Sequence, residues 1–221
     1  MSEGDKAMNI PKFRSTTRLV RWVTKTQGFG SRIPFDRESL FLNGKETQSL
    51  RAANLSSYAF YVGRTKELEG ILVGEHQSAL IYLKAVHNRD KVVCEEVTPI
   101  LKGHADCLYQ WGKHIGRLPK ELEDSFLGAA EGARYGFLYA KEVLRGRLPE
   151  HLEEVLESSS HFAAKYAFEV IRGFSSCRLP DALHNMMLMR SFENPSDRNI
   201  AAYVEASEND PSKVGNSVAK V

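Results

Sequence analysis

Several groups of residues in this sequence carry side chains that could do chemistry, and each implies a different reaction or ligand. His104, Asp106, Cys107 and His114 lie close together and include two imidazoles and a thiol, the donor types that bind zinc. Their spacing matches no standard zinc pattern, and no second cluster completes a set of four ligands. They read as a buried thiol with surface imidazoles, and no metal or cofactor is implied. Glu121, Glu123, Glu150, Glu153 and Glu154 could be read as paired carboxylates for acid/base work. Because they recur after equivalent prolines, they read instead as first-turn acids that oppose the positive end of a helix dipole. GKHIGR and NGKET contain glycine and lysine, but neither has the spacing of a phosphate-binding loop.

Two basic features remain. Residues 11 to 32 contain Lys12, Arg14, Arg18, Arg21, Lys25 and Arg32 with no acid among them, and Phe13, Trp22 and Phe29 are interleaved. Cations beside aromatic rings can pair with phosphate and stack on bases. This segment is therefore a candidate binding patch, centred on Lys12, Arg14, Arg18, Arg21, Trp22 and Lys25. It also reads as a helix that caps a repeat array, because arrays need atypical terminal units. The second feature is an arginine that returns at Arg32, Arg64, Arg89, Arg117, Arg147 and Arg178, at intervals of roughly 25 to 32 residues. Each could pair with an acid or with the carbonyls of a preceding helix. Together they could instead line an edge of donors facing an acidic surface or a nucleic-acid backbone.

The elements that position these residues follow from an internal repeat. Arg117-Leu118-Pro119, Arg147-Leu148-Pro149 and Arg178-Leu179-Pro180 lead into KELEDSFL, EHLEEVLE and DALHNMML. Tyr109 and Tyr139 stand eight positions before the first two arginines. Weaker copies run from Tyr58 to Arg64, from Tyr82 to Arg89, and from Arg32-Ile33-Pro34 into FDRESLFL. In the clearest copy, Tyr139, Ala140, Val143 and Leu144 recur at three- and four-residue steps, the spacing of one helical face. Gly146 is expected to close that helix in the left-handed conformation. Pro149 suits the first turn of the next helix, where its missing amide costs nothing. Leu152, Val155 and Leu156 then rebuild an apolar face. The tyrosines begin apolar runs and read as core.

One such hairpin cannot bury its stripe alone, whereas stacked neighbours can. The predicted fold is all-α: a tandem αα-hairpin repeat array, a short α-solenoid. It has a basic N-terminal segment or cap over residues 1–30, hairpin repeats over 31–192 and a flexible polar C-terminal tail over 193–221. Ser15 to Thr26 is expected to form an amphipathic helix with Leu19, Trp22 and Val23 on its apolar face. Ile200, Ala201, Tyr203 and Val204 are expected to form a last short helix.

The stretch YAKEVLRGRLPEHLEEVL, Tyr139 to Leu156, resembles a tandem repeat of the form YAxxVIxGRxPExE found in uncharacterised proteins of tailed bacteriophages and in some bacterial sequences. The likeness is good at Tyr139, Val143, Gly146, Arg147, Pro149 and Glu153. It is partial at Tyr109, Gly116, Arg117, Pro119 and Glu123. With the weaker copies it extends over about residues 56 to 184. It implies a phage-encoded or phage-like repeat protein and carries over no activity.

Bulk properties narrow the function classes. Thirty Lys and Arg against 28 Asp and Glu give a net charge of +2, which by itself implies no nucleic-acid partner. Cys94, Cys107 and Cys177 are an odd, widely spaced set that suits reduced thiols. No apolar run approaches the roughly 18–20 residues needed to cross a bilayer, and the N-terminal residues lack the apolar core of a secretory signal. The expectation is a non-enzymatic, cytoplasmic protein-binding module, acting in host cytoplasm if phage-encoded. It has no cofactor and no membrane partner, and its oligomeric state stays open. Nucleic-acid or ribonucleoprotein binding through the basic segment is the alternative.

Overall fold

The computed structural model describes residues 14–27, 40–43, 45–64, 69–70, 72, 75–171 and 179–208. Lys12, Arg32, Cys177, Arg178 and the tail after Glu208 lie outside the described residues. The described residues form helices joined by turns and contain no strand; one isolated parallel bridge joins His104 and Ala130. The chain forms two compact units, Met1–Ile100 and Leu101–Val221.

In the first unit, α1 (Thr16–Trp22) continues as a π-helical turn over Val23–Gln27. Ser15 caps it, its hydroxyl accepting from the Arg18 amide at 3.3 Å, which satisfies one orphan donor of the first turn. Leu19 and Val23 are buried as the apolar spacing requires, whereas Trp22 is only half-buried. Trp22 sits toward the side of the helix, because one residue back from Val23 is a rotation of about 100°. α2 spans Leu40–Asn43, α3 Gln48–Val62 and α4 His76–Asp90. α1 packs on α3, and α3 packs on α4. Ala79, Tyr82, Leu83 and Val86 recur at helical steps and form the buried stripe of α4, which Lys91 ends in the left-handed conformation.

The second unit alternates longer and shorter helices. α5 is Ala105–Ile115. α6 is Lys120–Glu123, running into a 3-10 turn at Asp124–Phe126. α7 is Gly132–Leu138, widening into a π-helical segment over Tyr139–Leu144. α8 is Glu150–Glu153, followed by a 3-10 turn at Glu154–Ser158. α9 (Ser160–Glu169), α10 (Asp181–Glu193) and α11 (Arg198–Glu208) complete it. α5 packs on α7, α7 packs on α9 and on the turn after α8, and α11 packs on both α9 and α10.

Pro119, Pro149 and Pro180 each stand at the N-cap, one residue before the position expected of them. Gly116 closes α5 at a φ of 95°. After α7 the left-handed residue is Arg145, at a φ of 51°, and not the expected Gly146. The π-helical turn explains the shift: the Gly146 amide reaches back to the Ala140 carbonyl at 3.1 Å, so the helix ends one residue out of α-helical step. Close packing requires glycine elsewhere. A Cβ on Gly112 would lie 2.7 Å from the Tyr139 ring, and one on Gly136 would lie 2.7 Å from Val155.

Candidate functional site: a buried polar unit and exposed cations

The recurring arginines do not act alone. The Arg117 Nε donates to Glu123 Oε1 at 3.2 Å, and Tyr139, sixteen residues further on, donates its hydroxyl to the same oxygen at 2.8 Å. That hydroxyl accepts the Leu118 amide at 2.9 Å. Thirty residues later the arrangement returns. The Arg147 Nε donates to Glu153 at 2.8 Å, Tyr166 donates to Glu153 at 3.1 Å, and the Leu148 amide donates to Tyr166 at 2.8 Å. A third version has His184 in the glutamate position: its Nδ1 lies 2.7 Å from the Tyr203 hydroxyl, which accepts the Leu179 amide at 3.2 Å. In the first unit Arg64 and Tyr82 meet on Glu69, at 2.8 and 3.1 Å. The leucine amide before the turn proline is buried in these units, and the tyrosine hydroxyl gives it the partner a buried amide needs.

This geometry corrects the reading of the glutamates. Glu121, Glu150 and Glu154 are exposed in or near the first turns, as dipole-compensating acids would be. Glu123 and Glu153 are 1% and 4% exposed, and each is the hub of its polar unit. Register separates the two kinds: the hub lies six residues after the arginine, following a buried leucine, Leu122 or Leu152. The tyrosines divide as well. Tyr139 and Tyr166 are fully buried. Burial raises both phenols well above their ordinary range, reinforced by the adjacent carboxylates and opposed by the leucine amides, so they stay protonated. Tyr109, assigned the same place as Tyr139, is instead half-buried at the surface and donates to Glu142 at 2.6 Å.

Among the proposed edge residues, Arg64, Arg117 and Arg147 hold glutamates. Arg64 also pairs with Glu96. Arg117 and Arg147 keep 63% and 56% of their side chains exposed. Arg89 departs from the pattern. It lies in the last turn of α4, where it donates to the Tyr61 carbonyl at 3.1 Å and pairs with Asp90. Glu95, at the six-residue spacing of the hub, is exposed, and the residue before it, Cys94, is buried. Burial, then the charge of Glu69, pushes that thiol up to about 11, which makes it a poor nucleophile. Cys107 is also buried and reduced. No group of three or more potential metal ligands gathers among the described residues.

Two surfaces remain. Along α5, α7 and α9, Lys113 donates to Glu142 and Lys141 to Glu169, each at 2.6 Å. Lys113, Arg134, Lys141 and Lys165 lie over the rings of Tyr109, Tyr135, Phe137 and Phe162. Sequence reading missed this ridge, although the lysine-to-glutamate spacing of 28 or 29 residues follows the repeat. On α1, Arg14, Arg18, Arg21 and Lys25 are all exposed. No family model, curated protein or solved structure matches this chain.

Proposed function

We propose that the chain is a non-enzymatic binding module, a tandem array of helical hairpins that recognises a protein. The observation that supports this most is the repeated commitment of its ionisable residues to one another. Arg117, Glu123 and Tyr139, and again Arg147, Glu153 and Tyr166, satisfy each other, with the glutamates and tyrosines buried and the arginines closing each unit from the surface. They serve to join one hairpin to the next, the requirement of an array in which burial comes from neighbours. α10 supplies contact surface: Met189 and Phe192, three residues apart on one helix face, are 63% and 82% exposed. Aromatic residues and methionine are enriched at protein interfaces. In keeping with the resemblance to phage repeats, the partner is a host protein met in the cytoplasm.

The test is affinity purification of the tagged full chain beside a Met189→Ser/Phe192→Ser variant whose helicity is checked by circular dichroism. A reproducible protein partner, retained by the parent and lost by the variant, is the expected result. Enrichment of no protein, or equal enrichment by both, refutes the proposal.

A further inference from the structure

α1 presents two faces that could hardly differ more. Leu19, Val23 and Thr16 are buried. At about 100° per residue Arg18 and Arg21 fall on the opposite side, and Lys25 follows about one turn on in the π-helical segment. Arg14 lies ahead of the helix, before the extended N-cap Ser15. All four are exposed, and none forms an ion pair or a side-chain hydrogen bond among the described residues. The segment from 11 to 32 contains no acid that could neutralise them locally.

The helix is also held firmly. Glu46 accepts from the Thr16 amide at 2.7 Å and the Thr16 hydroxyl at 2.6 Å, and from the Thr17 hydroxyl at 3.2 Å. The Asn54 side-chain amide donates to both threonine hydroxyls, at 2.6 and 3.0 Å. Among the described residues, the carboxylate bound to this helix sits at its N-terminus, on the side of the threonines. Folding anchors the helix while leaving the cations exposed and without an acidic partner among the described residues.

We propose that this stripe is a docking surface for the phosphate backbone of a nucleic acid. A run of exposed cations along and just ahead of one short helix matches a partner whose charge is itself repeated along a line, and backbone neutralisation needs no apolar contact. A protein partner fits less well. Protein interfaces are organised around a desolvated apolar or aromatic anchor, and the exposed side chains described on this helix are Arg18, Arg21 and Lys25. The residues concerned are on α1 and not on α10, and the test does not depend on the protein-binding proposal.

The test is fluorescence anisotropy of labelled single-stranded RNA, single-stranded DNA and duplex DNA against the full chain over a salt series. If four phosphates are engaged, log affinity falls against log salt with a slope of about −2.8 for single strands or about −3.6 for a duplex. Between about 50 and 200 mM salt the loss is roughly 50-fold or roughly 150-fold respectively. The Arg14→Gln/Arg18→Gln/Arg21→Gln/Lys25→Gln variant should bind weakly with a nearly flat slope. The Arg14→Gln/Lys25→Gln pair should halve the slope, which keeps the test decisive if the quadruple variant folds poorly. A charge-matched control, Lys102→Gln/Lys120→Gln/Lys165→Gln/Arg198→Gln, should behave as the parent. No binding at low salt, an unchanged slope in the α1 variants, equal loss in the control, or equally tight binding of polyglutamate would each overturn the proposal.

Discussion

Replacing Tyr166 with phenylalanine removes one oxygen and keeps the ring, so the energetic consequence can be worked from the structure. The hydroxyl accepts the Leu148 amide at 2.8 Å and donates to Glu153 at 3.1 Å, in surroundings where Tyr166 and Leu148 are buried. Its loss strands a buried amide, at a cost of about 1–3 kcal/mol. Glu153 keeps the Arg147 Nε at 2.8 Å but loses its second donor, which adds roughly 1 kcal/mol. The total is about 2–4 kcal/mol. Tyr109→Phe is the internal comparison: it deletes a hydroxyl that also bonds a glutamate, Glu142, but at the surface. Water replaces that partner, and the cost should stay below about 1 kcal/mol. Urea unfolding followed by circular dichroism measures both, and hydrogen exchange at the Leu148 amide reports the local effect. A Tyr166→Phe/Glu153→Leu double variant should show coupling, since the two groups form one network. Equal losses from Tyr166→Phe and Tyr109→Phe, with Leu148 protection unchanged, would refute the reasoning.

Two further outcomes follow from α1 and from the α7 contact. Burial works against the Glu46 carboxylate, but hydrogen bonds from Thr16 and Thr17 outweigh it and hold its pKa below the ordinary 4.5. A folded value below the unfolded one gives stability that is complete above about pH 4.5 and is lost as pH falls through the folded value. Glu46→Gln should cost about 1–2 kcal/mol at neutral pH and flatten that acid step; an acid profile identical to the parent's would contradict it. Gly136→Ala places a methyl group 2.7 Å from Val155 and should cost about 1–3 kcal/mol by overpacking. Val155→Ala in the same chain should recover part of the loss in thermal unfolding, and no recovery would place the strain elsewhere.

Much of this protein was legible because its signals are local. Apolar residues at helical steps mark α1 and α4, Ser15 announces a cap, and each Arg-Leu-Pro or Leu-Pro turn stands immediately before a helix. The cations of α1 could be named in advance because a stripe on one helix depends only on spacing within that helix. Which glutamate becomes the hub was less accessible. Glu121 and Glu123 look alike as first-turn acids, and the difference emerges only when a tyrosine sixteen residues away arrives over one of them. Tyr109 and Tyr139 share the same distance from an arginine yet lie in unlike surroundings, one half-buried in α5 and the other buried at the start of the π-helical segment after α7. That segment moves the left-handed residue to Arg145. The amino-acid order thus determined the helices, their turns and the sign of their exposed faces, all settled within a turn or two of chain. Tertiary packing decided which polar groups were buried together. Desolvation makes an unsatisfied amide or carboxylate costly, and its partner can come from a distant part of the chain.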